Sequence, residues 1–231
     1  MKIIYIGYVM KQYLIALLIL FSQPLYGQVK DCFCEKNPQM NGATVSCDTK
    51  TLRNNSKLYW QYTCDRIWLT LENSQGEKFV IDESGVELYA VTYRLGYHLI
   101  KEFEEVLLFR SGCPANGPCR YTLIDKQKGT KLNEFDQLIC IDTDVNPENP
   151  HQYNFDFILY LSELADHIGV YYVDSGRTLE VPFEKTLNGI IPQYQFKEMT
   201  LENDTLTLFY ELDDNTKKTL EIDLSDKKYR R

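Results

Sequence analysis

Short strand-like runs joined by tight turns recur along this chain, and they constrain its fold more than any other feature. Runs of alternating or apolar residues flank Gly, Asn, Asp or Ser in four predicted hairpins: IWLTL with KFVID, VLLFR with CRYTLID, VYYV with TLEVPF, and LTLFYEL with KTLEIDL. Strands connected this closely must run antiparallel, because a parallel return needs a long crossover. The chain is therefore predicted to be mainly β.

The residue composition agrees with this prediction. The chain contains 17 tyrosines and 11 phenylalanines but only five alanines, and aromatic residues suit strands whereas alanine is the best helix former. Residues 98–109 and 155–169 also satisfy a helical spacing of apolar residues, but their flanking segments are β, so strands are predicted there as well. The expected fold is an antiparallel meander of hairpins that forms a β-sandwich or a propeller-like domain.

A weak internal repeat also suggests a meander built of similar units. The segment from Ile100 to Phe109 aligns with Leu132 to Ile141 at an offset of 32 residues, each with an apolar-x-Glu-Phe-acid pattern before an apolar run. Propeller blades repeat at about 40–50 residues, so this offset is short for a propeller. The repeat alone does not choose between a sandwich and a propeller-like arrangement.

The N-terminal residues 1–27 have the features of a secretory signal peptide. Lys2 and Lys11 precede the apolar run YLIALLILF, and the small or turn-forming residues SQPLYG follow it. The apolar run is shorter than the roughly 20 residues of a transmembrane helix. Cleavage after Gly27 is predicted, with an uncleaved anchor as the alternative, so we expect a secreted or periplasmic protein with no membrane span after signal cleavage.

The mature chain is predicted to have two parts. Residues 28–66 form a cysteine-rich loop segment packed on the main domain, and residues 67–231 form the antiparallel β domain. In an oxidising compartment paired thiols become disulfides, and the turn-forming loop between Cys113 and Cys119 predicts a disulfide that closes a hairpin mouth. Two further bridges are predicted among four cysteines: Cys32, Cys34, Cys47 and Cys64. The candidate sets are Cys32–Cys47 together with Cys34–Cys64, or Cys32–Cys64 together with Cys34–Cys47. Cys140 is interpreted as a buried lone thiol.

The net charge excludes one class of partner. Residues 1–27 contain two lysines and no acid, so the mature chain has 23 basic and 33 acidic residues and a net charge of −10. A protein this acidic repels the phosphate backbone, so nucleic-acid binding is not expected. An acidic surface instead complements a basic protein partner.

The sequence contains no recognisable catalytic motif, and we predict that the protein is not an enzyme. It has three histidines, and it lacks a Gly-x-Ser-x-Gly elbow, a His-Glu-x-x-His pair and a phosphate-binding glycine loop. Acidic pairs such as Glu102 with Glu104 are interpreted as solvated strand edges that discourage edge pairing. A carboxylate-dependent polysaccharide hydrolase remains an alternative.

Two groups of residues are candidate binding sites. Alternating oxygen-bearing side chains in the segment IDTDVNPENPH make a weak calcium candidate, which would be the only cofactor: Asp142, Asp144, Asn146 and Glu148. The segment is not an EF-hand, because Pro147 stands where that loop needs glycine. Aromatic residues that favour interfaces make a weak platform for a glycan or a protein: Tyr171, Tyr172, Trp60 and Trp68.

The leading functional hypothesis is an exported, non-enzymatic binding protein whose disulfide-stapled β scaffold binds another macromolecule, as an inhibitor or immunity protein does. Rigidity, export and acidic charge suit that role. A glycan-binding or adhesive surface module is the second hypothesis, and it depends on the aromatic residues.

Overall fold

The computed structural model describes residues 48–91, 96–115, 117–139, 155–183, 187 and 191–226. These residues form four antiparallel sheets in chain order. Sheet A contains β1 (Lys50–Thr51), β2 (Lys57–Tyr62), β3 (Arg66–Glu72) and β4 (Lys78–Gly85), and the short helix α1 (Val86–Val91) follows it. Sheet B contains β5 (His98–Glu102), β6 (Val106–Gly112), β7 (Arg120–Asp125) and β8 (Lys131–Phe135).

Sheets C and D complete the described part of the chain. Sheet C contains β9 (Gln137–Leu138), β10 (Phe157–Leu161), β11 (His167–Tyr172) and β12 (Arg177–Pro182). A 3-10 turn at Pro192–Gln195 precedes sheet D, which contains β13 (Phe196–Glu202), β14 (Thr205–Glu211) and β15 (Lys217–Asp223). Within each sheet, neighbours in space are neighbours in the chain, so the prediction of a mainly β meander is confirmed.

The predicted hairpins are confirmed as β3–β4, β6–β7, β11–β12 and β14–β15. Their turns use residues that tolerate a positive φ: Gly76 in β3–β4, Gly176 in β11–β12 and Asn215 in β14–β15. Asn203 and Asp204 form the two-residue β13–β14 turn, and both have positive φ, as a type I′ turn requires. The two segments with ambiguous periodicity are strands, as predicted.

The structural repeat is longer than the sequence repeat suggested. The second strand of each sheet begins at Lys57, Val106, Phe157 or Thr205, so equivalent strands are about 50 residues apart. The 32-residue offset instead aligns β5 with β8, the first and last strands of one sheet. That alignment was wrong as an indicator of the repeating unit, because similar acidic–aromatic patterns occur on strands that occupy different positions in a sheet.

The sheets pack face to face in chain order, because the inner strands are apolar on both faces. In β6, Leu107 and Phe109 pack in a cluster with residues of sheet A, whereas Leu108 packs in a cluster with residues of sheet C. In β10, Ile158 belongs to the cluster with sheet B and Leu159 to the cluster with sheet D. Successive side chains on a strand point to opposite faces, so one inner strand supplies two cores. The described residues thus form a meander of four sheets in which sheets that are neighbours in the chain share a core.

Candidate binding cleft

The β5–β6 turn, residues 103–105, is held by a lysine from a different hairpin. Lys126 directly follows β7, and its side chain is fully buried. Its Nζ donates to the carboxylate of Glu102 at 2.7 Å and to the carbonyl oxygens of Phe103 and Glu104 at 2.6 and 2.8 Å. Its backbone N–H also donates to the carbonyl of Glu105 at 3.0 Å. We call residues 103–105 the lysine-held turn.

Glu102 completes this arrangement from the other side. Its Oε1 atom accepts the Lys126 ammonium and also the backbone N–H of Arg53 at 2.7 Å. Burial raises the pKa of Glu102, but the hydrogen bonds from Lys126 and Arg53 together lower it by more. The pKa of Glu102 therefore lies below its ordinary value. The prediction that Glu102 is a solvated edge residue was wrong, because its side chain is 14% exposed and carries the countercharge of a buried lysine.

Lys101 ties the same turn to sheet C. Its Nζ donates to the carbonyl of Phe155, just before β10, and lies 4.5 Å from the centre of the Phe103 ring. Burial lowers the pKa of Lys101 below its ordinary value, and the nearby Asp156 carboxylate offsets this in part. The backbone of the turn is thus held by Lys126. The two residues before it, Lys101 and Glu102, bond the segments of Phe155 and Arg53 through their side chains.

These contacts surround a cleft of about 1030 Å³. Exposed carboxylates from three connections line it: Glu104 and Glu105 in the lysine-held turn, Asp156 before β10, and Asp174 in the β11–β12 turn. The cations Lys50, in β1, and Arg53, in the β1–β2 connection, also line it. Apolar atoms come from Ile100, Phe103, Val106 and Val173. The lining of the cleft therefore combines charged side chains with apolar side chains.

The groups that line this cleft can bind a ligand through charge and hydrogen bonds. None of its lining residues is a histidine, cysteine or serine, so the usual nucleophile–base pairs are absent from the lining. Among the residues that the structure describes, no group of three His, Cys, Asp or Glu side chains is arranged to hold a metal ion.

Ser162, Asp166 and His167 lie together in the β10–β11 turn, but their hydrogen bonds do not form a catalytic triad. Both Ser162 Oγ and His167 Nδ1 bond the same oxygen, Asp166 Oδ1, each at 2.7 Å. A triad needs the serine to donate to histidine. The serine bond, with a contribution from histidine, lowers the pKa of Asp166. The three side chains therefore organise a turn.

The aromatic residues predicted as a platform do not share one exposed surface. Tyr171 and Tyr172 are 7% and 6% exposed and belong to the cores on the two faces of sheet C. Trp60 pairs with Leu69 and packs inward, whereas Trp68 pairs with Gln61 on the outer face of sheet A. The calcium candidate, Asp142, Asp144, Asn146 and Glu148, lies outside the described residues.

The disulfide between Cys113 and Cys119 is present, with an S–S distance of 2.03 Å, as the sequence predicted. Cys64 is also disulfide-bonded. The predictions for Cys32, Cys34, Cys47 and Cys140 fall outside the described residues.

Sequence reasoning missed Lys126, because it reads as an ordinary turn residue in the segment LIDKQKG. A lysine two positions after a run of four buried residues is the one local signal, and it does not indicate which carboxylate lies nearby. The partners Glu102, Phe103 and Glu104 are brought to it only by the pairing of β5, β6 and β7.

No model of a known protein family matches this chain, and no curated protein shows significant sequence similarity to it. Within the described ranges, no helix has both the length and the apolar character needed to cross a membrane.

Proposed function

We propose that this chain is an exported, non-enzymatic binding protein whose cleft beside the lysine-held turn receives a basic segment of another protein. The observation that carries this proposal is the buried Lys126, which fixes the turn that presents Glu104 and Glu105. A rigid binding loop loses little conformational entropy when its partner binds. An inhibitor or immunity protein depends on such rigidity.

Charge supports a basic partner. Glu102 is already neutralised by Lys126, which leaves Glu104, Glu105, Asp156 and Asp174 facing Lys50, Arg53 and Lys101 in the lining. The acidic excess at the cleft has the same sign as the net charge of the whole chain, −8. Complementary charge raises the association rate and favours the correct partner, and salt weakens this effect.

The test uses variants of the exposed carboxylates. The processed protein is immobilised and exposed to its native extracellular fraction, and the captured protein is then titrated against each variant. We expect Glu105→Gln combined with Asp174→Asn to weaken binding of that protein by at least about tenfold, mainly through slower association. The matched control is Glu198→Gln combined with Asp213→Asn, since both residues are exposed in or beside sheet D.

Each outcome bears on the proposal. Loss of affinity in the cleft variant alone, together with weaker wild-type binding at moderate salt, agrees with the cleft as the binding site. Equal affinity of the cleft and control variants would show that the partner binds elsewhere. Turnover of a substrate by the wild-type protein would contradict a non-enzymatic role.

A second candidate function is glycan binding at the outer face of sheet A. Tyr59 and Trp68 are partly exposed there, and Gln61 Oε1 accepts hydrogen bonds from Trp68 Nε1 at 3.1 Å and from Thr70 Oγ1 at 2.7 Å. Ordered aromatic rings beside an amide can stack against a sugar and bond it. Retention on immobilised polysaccharide that survives salt and is lost in Trp68→Ala would favour this function over the first.

A further inference from the structure

Among the described residues, sheet D has three strands, one fewer than each of the other three sheets. Sheets A, B and C each contain four strands, whereas sheet D ends at β15. No strand in the described part of the chain pairs with the outer edge of β15, and its side chains at Lys217, Lys218, Thr219, Glu221 and Asp223 are exposed. An unpaired edge presents a row of backbone N–H and C=O groups that can pair with another strand.

The sequence of this edge strand is self-complementary. β15 reads KKTLEID, with its cations at one end and its acids at the other. In an antiparallel pair centred on Leu220, Lys217 lies opposite Asp223 of the second copy and Thr219 lies opposite Glu221. On the other face, Leu220 lies opposite itself and the stem of Lys218 lies opposite Ile222. Directly opposed residues in such a pair have Cα atoms about 4.5–5.5 Å apart, close enough for these contacts.

Lysines on an edge strand normally discourage pairing, because a neighbouring strand would bury or oppose their charge. In β15 the antiparallel copy supplies an acid opposite Lys217, twice by symmetry, whereas a parallel copy in register would place lysine against lysine. The charge pattern therefore favours an antiparallel second copy over a parallel copy in register. Antiparallel pairing of the two β15 strands joins two three-stranded sheets into one continuous sheet of six strands.

We infer that two copies of this chain associate through β15, which pairs antiparallel with β15 of the second copy about a two-fold axis at Leu220. The interface is isologous, because the same residues contribute from both copies. A single strand edge buries less area than a standard interface of about 1,600 Å², so the dimer is expected to dissociate in the micromolar range. This association is independent of the cleft and of its proposed partner.

The experiment measures mass by sedimentation equilibrium on the processed protein, from low micromolar to millimolar concentration. We expect a concentration-dependent shift from monomer to dimer. Lys217→Glu should raise the dimer dissociation constant by at least about tenfold, because two attractive pairs become repulsive. Asp223→Lys should do the same, and the combination of the two should restore association. Thermal unfolding of each variant establishes that it is folded.

The matched control is Lys197→Glu, which makes the same charge change on β13 at the opposite edge of sheet D. Its dissociation constant should equal that of the wild-type protein. A protein that stays monomeric throughout the concentration range would overturn the inference. So would a dimer that Lys217→Glu leaves intact, or one that the double variant fails to restore.

Discussion

Sheet B contains two connections that are held in place by different means. The lysine-held turn connects β5 to β6. It is held by hydrogen bonds from Lys126, which lies more than 20 residues further along the chain. The β6–β7 connection is closed by the disulfide between Cys113 and Cys119, six residues apart. We call this second connection the disulfide loop. The two lie at opposite ends of β6.

The difference separates a local constraint from a tertiary one. The disulfide loop is constrained even in the unfolded chain, because its bond is covalent and its residues are close in sequence. The lysine-held turn is ordered only when β5, β6 and β7 have paired, because its stabilising charge comes from the end of β7. We therefore expect the lysine-held turn to be lost in the same cooperative transition as sheet B.

The largest expected effect tests the lysine-held turn. Lys126→Met should lower the free energy of unfolding by about 3–5 kcal/mol, because it removes the ammonium donor from two carbonyls and from the part-buried Glu102 carboxylate, which keeps only the Arg53 N–H. Chemical denaturation measures this change. Lys128 lies with Lys126 in the β7–β8 connection but is exposed. Lys128→Met should therefore change the free energy of unfolding by less than about 0.5 kcal/mol. Equal effects of the two variants would show that the buried ion pair has no special role.

The next effect concerns the disulfide loop. Replacing both Cys113 and Cys119 with serine should lower the free energy of unfolding by about 2 kcal/mol, the loop-entropy value for a ring this small. Partner affinity at the cleft should not change, because neither cysteine lines it. In contrast, Lys126→Met should weaken that affinity, since it releases the turn that carries Glu104 and Glu105. The same loss of affinity in both variants would contradict a separate role for the lysine-held turn.

The smallest expected effect is a dependence on pH. Because the folded pKa of Glu102 is lowered, its ionisation contributes stability that is present above the ordinary glutamate pKa and is lost as the pH falls through the folded value. The stability difference between the wild-type protein and Glu102→Gln should thus be larger at neutral pH than below the folded pKa. Urea titrations at both pH values measure it.

Glu104→Gln is the control for this pH dependence. Glu104 is exposed and bonds Lys126 only through its backbone carbonyl, so its replacement should leave stability nearly unchanged at both pH values. A stability difference for Glu102→Gln that is independent of pH would mean that its carboxylate does not act through its charge.

The elements that sequence analysis predicted are those with local causes. The alternation of apolar residues and the Gly, Asn and Asp turn residues place β14 and β15 on either side of Asn215, and they do so without reference to the rest of the molecule. The disulfide loop has the same character, since Pro114 and Pro118 lie between cysteines that are close in sequence. These features follow from backbone sterics and short loop closure.

The features that sequence analysis missed depend on which sheets meet. A strand that is apolar on both faces, such as β6, is a continuous apolar run, and nothing in that run says that Leu107 faces sheet A while Leu108 faces sheet C. The 50-residue repeat was also not visible in the sequence. Many combinations of apolar residues can fill a core face, so equivalent strands of the four sheets share no sequence motif.

The sequence by itself thus determined a mainly β chain, its hairpins and the bridge across one of them, because turn preferences and ring closure act over a few residues. Only the tertiary structure decided that Lys126 is buried, that Glu102 is its counterion and that exposed carboxylates from three connections surround one cleft. The physical reason is that a charge is buried only where distant strands bring it a partner and exclude water, and the order of residues along one strand does not contain that information.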